Sequence, residues 1–196
     1  MKTCHIHSAG AAPMRGFTLI EVLIAMLIMS FGLLSIAATQ MRAQHAELES
    51  YQRSQALILL DDLYNRITTN RDANRCYAIT DPLTGSPWIG QGNTQAFGCS
   101  GWGTTSTRAM ADADIAAVDA LLKGATETLA GSRVGTMSGA RACISFDPVT
   151  DVYTLAIAWQ GSVETIVPTN RCATGNYGTD SRRRVVTRTV EFADLG

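Results

Sequence analysis

Residues 17–39 read Phe-Thr-Leu-Ile-Glu-Val-Leu-Ile-Ala-Met-Leu-Ile-Met-Ser-Phe-Gly-Leu-Leu-Ser-Ile-Ala-Ala-Thr, a run of 23 residues in which Glu21 is the one ionisable side chain. As an α-helix the run is about 35 Å long, enough to cross the roughly 30 Å hydrocarbon layer of a bilayer. A secretory signal peptide would carry a shorter apolar region, about 7–15 residues, before a small-residue cleavage site. Ser35-Ile36-Ala37 mimics such a site, but the run is longer. A plain single-pass anchor, oriented by Lys2 and Arg15 on the cytoplasmic side, explains the length and leaves Glu21 unexplained. A carboxylate near the start of a membrane helix costs on the order of 2–3 kcal/mol, so Glu21 needs a partner.

The residues around it point to one. Arg15-Gly16-Phe17-Thr18-Leu19-Ile20-Glu21, directly at the head of the apolar run, closely resembles the site cut by prepilin peptidases in type IV pilins and related pseudopilins. The resemblance implies a leader over residues 1–16, cleavage between Gly16 and Phe17, and N-methylation of the new amine on Phe17. It makes Glu21 the fifth residue of the mature chain and assigns Thr18 and Glu21 to assembly and register. A cationic amine on one subunit and a carboxylate on its neighbour are each costly in lipid, and together they neutralise one another. The leader is longer than many in the family, and Met14 is an alternative start that would leave Met14-Arg15-Gly16. Many major pilins bend this helix with a proline where Ala38 stands here, which sets the chain apart from them. Gly32 and Ser35 suit close packing against neighbouring membrane helices.

Beyond Thr39 no proline or glycine occurs before Asp81-Pro82, and an amphipathic period replaces the apolar one. Leu48, Tyr51, Ala56, Leu60, Leu63 and Ile67 fall near a single helical stripe, with Glu49, Gln52, Arg53, Asp61, Asp62 and Arg66 mostly off it. The helix is therefore expected to continue to about Thr69, a stem of roughly 80 Å. The expected divisions are the leader (1–16), a transmembrane half (17–39), an amphipathic half (40–75) and a globular head (76–196). Within the head, Asp81 to Arg108 is dense in Gly, Ser, Thr and Pro and reads as an ordered loop, the whole loop region spanning 76–108. Trp88 and Trp102 within it are expected to cover the edge of the core.

A short helix is expected over 110–122, with Asp112 and Asp114 near its start, Gly124 near its end, and a resumption through Ala125 to Leu129. Strand-like runs follow at Ala142–Phe146, Val152–Trp159 and Val185–Phe192, in a sheet region assigned to 133–196. The expected fold class is α+β, a long N-terminal helix packed on an antiparallel sheet with one additional short helix. Of the five cysteines, Cys4 lies in the leader, while Cys76, Cys99, Cys143 and Cys172 form no C-x-x-C pair. They fit two disulfides in an oxidising compartment better than a zinc or redox site. Four cysteines allow three connectivities; Cys76 to Cys99 and Cys143 to Cys172 are favoured because each pair brackets a turn-rich stretch.

The counts of 16 Lys+Arg and 17 Asp+Glu in 196 residues create no broad positive field, so nucleic acid is not the expected partner. Arg182-Arg183-Arg184 with Arg188 is a local basic cluster, expected to be a solvated edge that discourages strand pairing. The mature chain keeps one histidine, His45, and no G-x-S-x-G, H-E-x-x-H, phosphate loop or metal-spaced cluster occurs. No catalytic residue, metal or cofactor is therefore expected. Leu33, Leu34, Gln40, Asp62-Leu63-Tyr64-Asn65-Arg66, Asn70-Arg71 and Arg141-Ala142-Cys143-Ile144 look like the PilV-type minor pilins, also called type IV pilus modification proteins. That resemblance implies prepilin peptidase, other minor pilins, the major pilin and an inner-membrane assembly platform as partners. It places the chain in the inner membrane with its head in the periplasm, then in a surface pilus serving twitching motility and cell adhesion. A type II secretion pseudopilin, a DNA-uptake pilin and a membrane-anchored binding protein are the alternatives.

Overall fold

The computed structural model describes residues 16–124, 128–129, 132–133 and 137–192. The chain divides between Gln44 and His45 into two compact units. One helix, α1 (Leu19–Thr69), runs through that division. Its sequence permits this, because Gly32 is its only glycine and it has no proline. In the first unit every residue of α1 is exposed. In the second, Ala56, Leu60, Leu63 and Ile67 are buried at alternating spacings of four and three, a single stripe sunk in the core. Leu48 and Tyr51, expected on the same stripe, are 60% and 51% exposed. Apolar docking begins at Ala56; upstream of it α1 meets the rest of the unit through Glu49, which bonds Ser162 and Arg184. The α-helix stops at Thr69 and a 3-10 helix takes residues Arg71–Tyr77, so the amphipathic half is not α-helical to residue 75.

Helix α2 spans Thr105–Leu122, starting well before the expected Met110. The reason is a capping box: the Thr104 hydroxyl accepts from the Thr107 N–H, and the Thr107 hydroxyl accepts from the Thr104 N–H. Asp112 and Asp114 therefore stand inside the helix rather than at its start. Lys123 caps the other end and Gly124 takes a left-handed conformation at φ 73°. The expected resumption of helix fails at Thr128–Leu129, which is a strand, β2, paired with β3 (Ser132–Arg133); residues 125–127 lie outside the described residues.

The main sheet has order β1-β4-β5-β6 and every pairing is antiparallel. Strand β1 (Ile89–Gly90) lies in the stretch expected to be strandless, and its two residues are too few to show a period. Strands β4 (Arg141–Asp147), β5 (Val152–Gln160) and β6 (Arg183–Glu191) follow. The Asp147 carboxylate accepts from the Val149 N–H and the Thr150 hydroxyl, which closes the β4–β5 turn.

Both faces of β5 are buried, so its polarity does not alternate. Its side-chain size does. Tyr153, Leu155, Ile157 and Trp159 join the core shared with α1 and α2, while Ala156 and Ala158 join Cys143, Cys172, Ala173 and Tyr177 on the opposite face. That second face is covered by the segment between β5 and β6. Disulfide Cys143–Cys172, with Cα atoms 5.6 Å apart, ties this segment to β4. Disulfide Cys76–Cys99, with Cα atoms 5.1 Å apart, ties the end of the 3-10 helix to the loop before α2.

The basic run 182–184, expected to be a solvated edge, is one only at Arg182. Although β6 is an outer strand, the Arg183 side chain is 1% exposed and its guanidinium donates to the carbonyls of Asn170 at 2.6 Å, Cys172 at 3.2 Å and Pro168 at 3.3 Å. Asp180 lies 3.5 Å away as counter-charge. Three carbonyls of the segment that covers the second face thus share one planar fork of N–H groups. Arg182, by contrast, has a side chain 47% exposed. Replacing Arg183 by Ala should destabilise the protein by about 3 kcal/mol, because it leaves those carbonyls without their donors and Asp180 without its counter-charge. Arg182→Ala should change stability by less than about 0.5 kcal/mol; chemical denaturation of the two variants side by side checks both values.

Candidate processing and packing site

Gly16, Phe17 and Thr18 precede α1 in non-helical conformation, and Phe17 is 83% exposed. The Gly16–Phe17 peptide bond thus lies outside any helix or strand, between exposed residues, where a protease can reach it. Thr18 starts the helix. Its carbonyl accepts the Glu21 and Val22 N–H groups at 3.1 and 3.4 Å, and its hydroxyl accepts the Glu21 N–H at 3.4 Å. Thr18-x-x-Glu21 is the spelling of a capping box, and this capping role was missed in the sequence although the spacing shows it. Glu21 sits in the first turn, where a negative charge complements the helix dipole. Among the described residues Glu21 makes no ion pair.

From Leu19 to Met41 the large apolar side chains are 45–79% exposed. The segment contains an 18-residue window of mean hydropathy 2.5 with no residue buried, long and apolar enough to cross a membrane. Two of its hydroxyls fold back on the helix: Ser30 donates to the Met26 carbonyl at 2.8 Å and Thr39 to the Ser35 carbonyl at 3.0 Å. Glu21 is therefore the one group here whose charge calls for something outside the segment. Gly16, Phe17, Thr18 and Glu21 are brought together at the helix start; the four head cysteines lie elsewhere, in their two disulfides.

In the second unit, polar side chains fix α1 in place. Arg66 bridges Asp62 at 2.9 Å and Asp114 of α2 at 2.7 Å. The Tyr77 hydroxyl donates to Asp114 at 2.6 Å, and Asn70 donates to the Tyr77 oxygen and the Thr107 carbonyl. Burial, reinforced by the Asp114 bond, pushes the Tyr77 phenol well above its ordinary pKa. Asp61 pairs with Arg188, whose guanidinium stacks on Tyr64, so Asp61 and Asp62 serve different partners. Of the two loop tryptophans, Trp88 is half-buried against the second core. Trp102 is 53% exposed, with Arg75 lying between it and Phe146. Among the described residues no group of three or more His, Cys, Asp or Glu gathers at metal-binding distance.

Glu49 links α1 to the covering segment, accepting from the Ser162 N–H, the Ser162 hydroxyl and Arg184, each at 3.1 Å. Partial burial pushes its pKa up, but the Ser162 bonds and the Arg184 charge outweigh that and hold it below the usual carboxylate range. A lowered folded pKa means the tie is fully present above the unfolded value and is lost as pH falls through the folded one. The protection factor of the Ser162 amide, exchange being corrected for its own pH dependence, should therefore be high at neutral pH and fall once the pH passes below the ordinary glutamate range. Glu49→Gln should abolish that pH dependence.

A family model described as the prokaryotic N-terminal methylation motif matches residues 13–37, and one described as type IV pilin Tt1218 matches residues 38–116. No curated protein and no solved structure matches the chain. The first match covers the cleavage sequence and most of the apolar run; the second begins at the next residue and carries on through the buried stripe of α1 to the middle of α2. These findings fit membrane anchoring, processing by a prepilin peptidase and incorporation into a pilus. With α1 leading into an antiparallel sheet and a second helix, the chain has an α+β pilin fold and is a type IV pilin-like protein.

Proposed function

We propose that this chain is a minor pilin of a type IV pilus, a non-catalytic subunit that helps prime assembly and sits near the filament tip. The observation that carries this reading is the start of α1. A capped helix presents an exposed apolar surface along its first turns with a single unpaired carboxylate, Glu21, one turn in from the Phe17 that cleavage would turn into a charged terminus. A helix of that kind is stable in lipid only with the charge compensated, and the free amine of a neighbouring Phe17 compensates it while setting the axial stagger. The minor rather than major assignment rests on the resemblance to PilV-type proteins and on Ala38 where a bending proline is common. The head then lies in the periplasm before assembly, and the inner-membrane platform and the other pilins are the partners.

Two measurements test this. Glu21→Gln should leave the chain cleaved after Gly16, methylated at Phe17 and inserted, as mass spectrometry of the membrane fraction would show. Its amount in sheared filaments should fall about tenfold or more, since loss of the compensating pair costs on the order of 2 kcal/mol. Incorporation at the unaltered level defeats the register role. Deleting the gene should remove surface filaments under the electron microscope while export of secreted enzymes stays normal. Intact filaments with failed export would instead identify a secretion pseudopilin.

A further inference from the structure

In the loop that follows β5, Val163, Ile166 and Val167 are 52%, 92% and 50% exposed, although the backbone that carries them is held firmly. The Ser162 N–H and hydroxyl donate to Glu49, Arg184 donates to the Val163 carbonyl and the Thr165 hydroxyl at 2.8 Å each, and the Thr165 N–H donates to the Ser181 carbonyl at 2.8 Å. Polar bonds thus order a backbone whose aliphatic side chains stay in water, an arrangement that costs conformational entropy without gaining burial. An apolar stretch rimmed by polar groups in this way marks a contact with something external. The one ionisable residue between Gly161 and Asn170 is Glu164, and it lies 3.7 Å from Arg182, so its charge is compensated.

The position of the loop identifies the partner. Strand β6 runs beside α1 in the same direction: Arg184 meets Glu49, Arg188 meets Asp61, and Arg71, just past the end of α1, lies over Phe192, just past the end of β6. The loop leaves β5 at Gln160, opposite Arg183, and so stands at the end of the sheet where α1 enters this unit. The β4–β5 turn with Val149 stands at the other end. Glu49, which the loop grips, follows Thr39 in the same helix after a rise of about 15 Å. The apolar run before Thr39 is about 35 Å long against a hydrocarbon layer of roughly 30 Å, a mismatch that tilting relieves, and tilt lowers one side of whatever the helix carries.

We infer that Val163, Ile166 and Val167 rest in the headgroup region of the bilayer that anchors α1, so that the partner of this loop is a lipid surface. The inference depends on that anchoring. Interfacial surfaces bury their apolar groups by about 5–10 Å, and here no uncompensated charge has to be desolvated with them. Such a contact selects one direction of tilt and keeps a fixed face of α1 turned away from the lipid surface before assembly.

The test uses the full chain with Cys4 replaced by Ser, one copy per lipid nanodisc, carrying a nitroxide at Ile166→Cys, Val149→Cys or Ile28→Cys. Collision with oxygen, which concentrates in lipid, is compared with collision with a water-soluble nickel chelate. The oxygen-to-chelate ratio should be highest at position 28, and at 166 it should exceed that at 149 by about threefold or more. Val163→Ser combined with Val167→Ser should leave the melting temperature unaltered and bring the ratio at 166 down towards that at 149. Equal ratios at 166 and 149, with position 28 in lipid, overturn this inference alone. A rise at 166 seen only when several chains share a nanodisc also overturns it and identifies a neighbouring subunit as the partner. Aqueous behaviour at position 28 overturns the anchoring and this inference with it.

Discussion

The backbone hydrogen bonds of α1 run without a break from Leu19 to Thr69, and both units of the chain depend on them. In hydrocarbon no water is available for a free N–H or C=O, so a membrane-length segment must close its bonds internally. α1 does so even for the hydroxyls of Ser30 and Thr39, which fold back on carbonyls one turn earlier. The same helix then meets a different demand. From Ala56 onward it must offer one dry stripe to a core and leave the rest wet, and its residues switch pattern accordingly. One element thus serves two solvents, which a single uninterrupted helix can do only because helix formation is indifferent to which side chains face which medium.

Around the second half of α1 the C-terminal unit is built as layers. Large side chains of β5 pack towards the helices and alanines pack towards the covering segment, where the backbone approaches closely. Irregular backbone laid over a sheet face needs donors for its carbonyls, and Arg183 provides them from within while Cys143–Cys172 limits how far the segment can lift. The loop that carries Trp102 is held in an analogous way by Cys76–Cys99 and by Asp112, which accepts the Cys99 N–H. Polar groups here position backbone.

The apolar length of α1 with its lone Glu21 remains unfinished within the described residues. It lacks an external group of opposite charge. In the proposed reading that group is the amine of a neighbouring Phe17, and the pair sets the stagger between subunits while the apolar length faces lipid.

Local pattern made much of this readable from residues alone. The apolar run, its abrupt change to an amphipathic stripe and the absence of Gly or Pro up to Asp81 determine a long helix, and β-branched and aromatic runs place β4, β5 and β6 to within two residues. The Arg15–Glu21 motif is local too, which is why it can be recognised in order. What could not be read depends on contacts between distant residues. The threonine run at 104–107 looks like loop until its hydroxyls are seen capping α2, and Ile89–Gly90 becomes a strand only because β4 lies beside it. Leu48 and Tyr51 keep helical spacing with the core stripe yet face solvent, since no apolar surface stands opposite them. Arg183 is identical in sequence to its two neighbours; one is exposed, one is tied to Glu49 and one is buried, because strand direction and the covering segment, not composition, decide which guanidinium finds carbonyls.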